Sequence, residues 1–314
     1  MGTLARTLIA LVAVGCSTAD GSTGTSNDPA TDGCATNSVP MLVKFSAGYA
    51  SDQFVPVTVD GTQGYFTIDT GSSSTFVYGP DDHTARYEVA IGCETVNVIR
   101  RDFAPSVAFG KPVLGVLGAD FLRAVTTDFD YPGGKIVRHH GVPPTGTEGY
   151  LTVPIVDASG HIAVEAKVDG ASKLLMVDTG SPHVVLAWTE GRPDDQAVNV
   201  EDINGTLIPA YLGDSDVSLE SETKRIPVYR IPSWPYFQSF AKKLHPDLAG
   251  LYGRSSLGYR RIIIDNSASV LEFGPIQPIP AAAESSSNDA AQVDLGGAAL
   301  ESRPLSAHDA PPPP

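Results

Sequence analysis

The sequence predicts an all-β protein made of two related halves, and three observations carry that expectation. Gly and Pro are abundant, 31 and 25 of 314 residues, which suits short strands and many turns rather than long helices. Asp-Gly between apolar runs occurs at Val59-Asp60-Gly61 and again at Val168-Asp169-Gly170, and that combination marks a hairpin. The two signals lie 109 residues apart, and the segments after them match at the same offset, so the chain contains an internal repeat. Two copies of one β unit can pack about a pseudo-twofold axis, as the protomers of a symmetric dimer do.

Composition narrows the possibilities. Hydrophobic residues make 42% of the chain, charged residues 18%, and the net charge is -15; this is too apolar for a disordered protein. Lys and Arg total 21 against 36 acids, which leaves no basic surface for a phosphate backbone. Nucleic acid is therefore excluded as a partner.

The first element along the chain is an export signal. Residues 1–15 hold one basic residue, Arg6, and an apolar run from Leu8 to Val14. The run is much shorter than the ~20 residues that span a bilayer, but it has the shape of a secretion signal. Ala13-Val14-Gly15-Cys16 resembles the bacterial lipobox. That resemblance implies cleavage before Cys16 and a lipid anchor on its thiol; an ordinary signal peptide with an incidental Cys is the alternative. The expected location is outside the inner membrane, tethered to the outer membrane or facing the periplasm, with the lipid as the membrane contact. Residues 16–38, rich in Ser, Thr, Gly, Asp and Asn, read as a flexible tether reaching about 26 Å. Export would put Cys34 and Cys93 in an oxidising compartment, where they can pair or stay free; their spacing does not decide.

The two halves follow as residues 39–146 and 147–277. In each, an apolar run (Phe54 to Val59; Ile162 to Val168) leads through the Asp-Gly turn, over more than two residues, to a second (Tyr65 to Ile68; Leu174 to Val177). Then come Asp69-Thr70-Gly71-Ser72 and Asp178-Thr179-Gly180-Ser181. Downstream, Gly115-Val116-Leu117-Gly118 matches Gly250-Leu251-Tyr252-Gly253 at an offset of 135. Val89-Ala90-Ile91 matches Val217-Ser218-Leu219 at 128, so most of the extra length of the second copy falls between Ala187 and Asp216. That insertion carries Asn204-Gly205 between alternating runs, a strong hairpin signal.

Three further segments complete the reading. Ser233 to Leu244 reads as a helix with Ser233 as its cap; its aromatics belong to the core by default. His139-His140 reads as a solvated pair, since no spaced partner motif for a metal accompanies it. Residues 278–314 end in four prolines without an apolar periodicity, and read as a disordered tail.

At these motifs the chain resembles the aspartic peptidases, both the two-lobed pepsin-like enzymes and the shorter retropepsin-like domains. The family pattern of two hydrophobic residues, Asp-Thr-Gly, then Ser, Thr or Ala is met by Thr67-Ile68-Asp69-Thr70-Gly71-Ser72 and Met176-Val177-Asp178-Thr179-Gly180-Ser181. The later apolar-apolar-Gly element is met by Val116-Leu117-Gly118 and Leu251-Tyr252-Gly253. Ala119-Asp120-Phe121-Leu122 and Thr127-Asp128-Phe129-Asp130-Tyr131-Pro132 look like bacterial retropepsin-like domains in particular. The resemblance implies two pseudo-twofold-related, barrel-like lobes with a cleft between them. Asp69 and Asp178 would meet on the axis as catalytic carboxylates, one protonated and one ionised. The base takes a proton from a water that attacks the peptide carbonyl, and the acid protonates the carbonyl oxygen.

By the same resemblance, Thr70 and Thr179 would bond across the axis, Gly71 and Gly180 would admit the tight approach, and the Ser72 and Ser181 hydroxyls would hold the outer carboxylate oxygens. No metal or cofactor is expected, and the partner is a peptide or protein substrate. Both halves sit in one chain, so a monomer suffices. Asn204-Gly205 would form a flap over the cleft, on the half opposite to the one that carries it in pepsin-like enzymes; a purely structural hairpin is the alternative. A peptide-binding lipoprotein that keeps the fold without turnover is the rival function.

Overall fold

Asp60 and Gly61 both adopt positive φ (45° and 82°), as do Asp169 and Gly170 (51° and 82°). Val59 opposes Thr62, and Val168 opposes Ala171. Each Asp-Gly step is thus a two-residue hairpin turn, tighter than the apolar runs alone imply, because the polar residues after the Gly already belong to the second strand. The computed structural model describes residues 34–46, 49–80, 82–103, 106–201 and 207–279, together with Thr7–Leu8. The export signal, Cys16, the Asn204-Gly205 tip and the tail after residue 279 lie outside the described residues, apart from Thr7–Leu8, which runs parallel to Val200 and Glu201.

The two halves build the same sheet. In the first, Tyr49–Val59, Thr62–Ile68, Lys111–Leu117, Phe76–Tyr78, Glu94–Arg101 and Asp82–Ile91 are neighbours in that order, and the last closes back on Tyr49–Val59 through Thr58↔Ala90. In the second, His161–Val168, Ala171–Val177, Leu248–Tyr252, Val184–Ala187, Glu222–Ile231 and Leu207–Leu219 repeat the order, closing through Lys167↔Ser218. The fold is all-β, with two barrel-like lobes. The inner faces pack Val55, Phe66, Ile68, Leu117, Val164, Leu175 and Val184 into one continuous buried cluster.

A six-stranded sheet joins the lobes. Each half supplies three strands: Thr36–Pro40, Lys135–His139 and Thr126–Asp130 from the first, Arg261–Asp265, Val270–Phe273 and Leu151–Pro154 from the second. At its centre Thr127 faces Ile264, Asp128 faces Ile263 and Phe129 faces Ile262. Since the repeat offset here is 135, Asp128 and Ile263 are equivalent residues, and the pseudo-twofold axis passes between them. Asp128 is buried and gripped by the Arg261 fork, with Nε 3.0 Å from Oδ1 and Nη2 2.5 Å from Oδ2.

Four expectations need correction. The tether does not run to residue 38, because Thr36–Pro40 is a strand paired with Lys135–His139, and Cys34 forms a disulfide with Cys93. His139 and His140 are not a solvated pair: their Nε2 atoms lie 3.8 Å from Asp128 and 3.1 Å from Glu94. Helix Pro235–Leu244 is not capped by Ser233; Pro235 starts it with its preset φ, and Trp234 precedes it without a side-chain cap. The inserted hairpin pairs Gln196–Glu201 with Leu207–Leu219, but Glu201 opposes Leu207, whereas a two-residue Asn204-Gly205 turn would set Glu201 against Ile208.

One face of that hairpin, Val200, Ile208 and Ala210, is buried in the cluster around Trp234 and Phe237. The helix aromatics are core residues too, with Trp234, Phe237 and Phe240 all buried. Among the described residues no helix is long and apolar enough to cross a membrane, and no group of three or more His, Cys, Asp or Glu could hold a metal ion.

Candidate active site

Asp69 and Asp178 each follow a central strand, and their N–H groups donate to Leu117 O (3.0 Å) and Tyr252 O (3.1 Å) on the parallel neighbour. Each loop therefore hangs from the residue just before Gly118 or Gly253. These glycines are required for space: a Cβ on Gly118 would strike the Ser74 backbone, and one on Gly253 the His183 carbonyl. Beyond them Ala119 N and Arg254 N return bonds to Ser72 O and Ser181 O. The loops are clamped at both ends.

The two loops bond to each other reciprocally, as copies related by the pseudo-twofold axis. Thr70 N–H donates to Thr179 Oγ1, and Thr179 N–H to Thr70 Oγ1, both at 3.0 Å. The hydroxyls in turn donate across the axis, Thr70 to Val177 O (2.7 Å) and Thr179 to Ile68 O (3.1 Å). All four groups are buried, so none has water as a substitute partner. Thr70→Val, nearly isosteric, would orphan Thr179 N–H and Val177 C=O. It should cost about 2 kcal/mol or more, measured by urea unfolding; a loss below about 0.5 kcal/mol would mean that the interlocking contributes nothing.

This interlock brings the carboxyls together. Both are buried, at 2% and 1% exposure, each lies against the glycine of the opposite loop, and Asp178 Oδ2 is buried without a hydrogen-bond partner. Gly71 and Ser72 N–H point at Asp69 Oδ1 (2.8 and 3.2 Å), and Gly180 and Ser181 N–H at Asp178 Oδ1 (2.8 and 3.1 Å). Gly71 and Gly180 are needed for closeness and not for φ, since neither is left-handed. A Cβ on Gly71 would sit 2.5 Å from Asp178 Oδ1, and one on Gly180 2.8 Å from the Asp69 carboxyl.

The serine hydroxyls act differently from the expectation. Ser72 Oγ donates to Ser74 O (2.8 Å) and Ser181 Oγ to His183 O (3.0 Å). The backbone N–H groups already fill the inner carboxylate oxygens, and the hydroxyls brace the loop behind them.

Burial raises the pKa of both carboxyls, and for Asp69 the neighbouring Asp178 charge adds to it; the backbone donors oppose the rise in each. Two contacting buried carboxyls titrate as one unit that keeps a single proton over a wide pH range. Arg254, which the sequence reading passed over, also lowers both. Its signal was present: it follows Gly253 directly, where the first copy has Ala119.

No protein-family model matches the chain. No curated protein matches it either. Among solved structures, an aspartic proteinase from Irpex lacteus is similar at 13% identity and a TM-score of 0.48, covering 79% of this chain and 100% of that one.

Proposed function

We propose that the chain is an aspartic-type endopeptidase. The observation that supports this reading is a pair of adjacent, buried carboxyls supplied by two interlocked copies of one loop. With one proton between them, one carboxylate draws a proton from water while the other donates to the carbonyl oxygen of the peptide, and the roles exchange as the amine leaves. A digest of a peptide library by the purified chain tests the proposal: cleavage that both Asp69→Asn and Asp178→Asn abolish supports it, and no cleavage anywhere between pH 3 and 8 sinks it. The rival, a peptide-binding protein without turnover, is favoured by one feature. The first lobe passes from Tyr78 to Asp82 without the hairpin that the second lobe inserts.

The anchor is part of the same proposal. Cys16 carries a lipid, and the lobes act on exported or envelope polypeptides near the bilayer. Cys16→Ala should release the protein from the membrane fraction without altering cleavage; a variant that stays membrane-bound after a high-salt wash would exclude the lipid.

A further inference from the structure

The loops are twins in their hydrogen bonds, but the charges around them are not. Ala119 and Arg254 hold equivalent places: each follows the loop-bracing glycine, opens a four-residue helix, and gives its N–H to Ser72 O (2.7 Å) or Ser181 O (2.9 Å). Arg254 is 6% exposed. Its Nη1 donates to Thr179 O at 2.6 Å, one residue from Asp178. Its Nη2 lies 3.8 Å from Asp52 Oδ1 on the first lobe, and Nε is buried without an acceptor. A buried guanidinium with one carbonyl and one distant, 44% exposed counter-ion is under-compensated, and a nearby anion is the partner that offsets its desolvation.

The equivalent of Asp52, 109 residues on, is His161. It is 1% exposed, bonded to Ala158 O (3.3 Å), and close to the Gly71 backbone. Burial lowers its pKa, so at neutral pH it puts no charge beside the Asp69 loop. Three further titratable groups near the pair are neutral as well. Tyr78, facing Asp69 and bonded to Thr67, has its pKa raised by burial. Tyr131 is raised by burial beside Gln53. His183, packed on Tyr229, is pushed down to about 4. Asp120, which accepts from Thr75 Oγ1, and Arg123, which donates to His161 O, stand on the Asp69 side, but among the described residues Arg254 is the cation that acts on the two carboxyls themselves.

We propose that Arg254 is a positioning residue that breaks the symmetry of the pair, making Asp178 the carboxylate that ionises first and leaving the shared proton on Asp69. This rests on the peptidase reading, for which it names Asp178 as the base and Asp69 as the acid of the first step. The charge acts through the Asp178 loop and needs no contact with substrate.

The test uses the full chain and no turnover. Carbon-13 NMR of labelled aspartates follows the remaining carboxyl in Asp69→Asn and in Asp178→Asn. Asp178 should titrate at the lower pH of the two. Adding Arg254→Met should raise the Asp178 midpoint by about one pH unit and close the gap, while Arg254→Lys keeps most of it. Asp52→Asn removes the counter-ion at an exposed position and should move the Asp178 midpoint down. An unchanged order and gap in Arg254→Met, or an upward shift in Asp52→Asn, overturns the assignment; if Arg254→Met does not fold, the Lys and Asp52 variants decide. These titrations do not depend on cleavage, so an inactive chain that shows them would refute the peptidase reading and leave the role of Arg254 standing.

Discussion

Asp69→Asn and Asp178→Asn should each lower peptide cleavage by at least about 100-fold and, at neutral pH, make the chain more stable. The first effect follows from the chemistry: an amide can neither accept the water proton nor hold one to donate. The second follows from the raised pKa of both carboxyls, caused mainly by burial and, for Asp69, by its neighbour. Groups whose folded pKa lies above the unfolded value stabilise the fold below the unfolded value, near 3.9 for Asp. That contribution is lost as pH rises through the folded values. At pH 7 the wild-type pair is therefore a strain that one Asn relieves, on the order of 2 kcal/mol. Below the unfolded value both carboxyls are mostly protonated in either state, and the advantage should largely vanish. Thermal unfolding of wild type and variants at pH 3.5 and pH 7.5 measures this; a variant less stable than wild type at pH 7.5 would contradict it.

Opening the Cys34–Cys93 bridge should be the most damaging change away from the carboxyls. It closes a loop across a sequence separation of 59 residues, for which the chain-entropy relation gives about 4 kcal/mol. The bridge acts where the first strand meets the first lobe. Asn37 Nδ2 there donates to Ile91 O and Glu94 Oε1, both 2.8 Å, and Asn37 Oδ1 accepts Cys93 N–H at 3.2 Å. Losing the bridge thus loosens an edge strand of the sheet that joins the lobes. Cys93→Ser should lower the unfolding free energy in urea by about 3–4 kcal/mol, and reductant should do the same to wild type but nothing more to the variant. Equal stability with and without reductant would show that the bridge contributes nothing.

The paired loops were legible because an exact repeat needs no knowledge of contacts: Asp69 and Asp178 stand at one offset, with matched flanks on both sides. The barrel closure and the shared sheet were not legible, since pairing such as Thr58↔Ala90 or Asp128↔Ile263 is long-range and leaves no local trace. The serine hydroxyls were misplaced because sequence cannot show that backbone donors already fill Oδ1. The hairpin tip was read from Asn204-Gly205 between alternating runs, yet the register of a strand is also set by which face is buried. Here Val200, Ile208 and Ala210 fix that face against Trp234 and Phe237.

The central strand pair carries a history of divergence. Asp128 faces Ile263 on the axis, and Arg261 satisfies the carboxylate. Were the first half to associate with a second copy of itself in the same way, Asp128 would meet Asp128. The place of Arg261 would then be taken by Thr126, leaving two buried carboxylates without their guanidinium. The halves fit each other and no longer fit themselves. Whatever symmetric ancestor the repeat descends from, this chain has exchanged self-recognition for a fixed left and right hand, and its two lobes have become free to specialise separately.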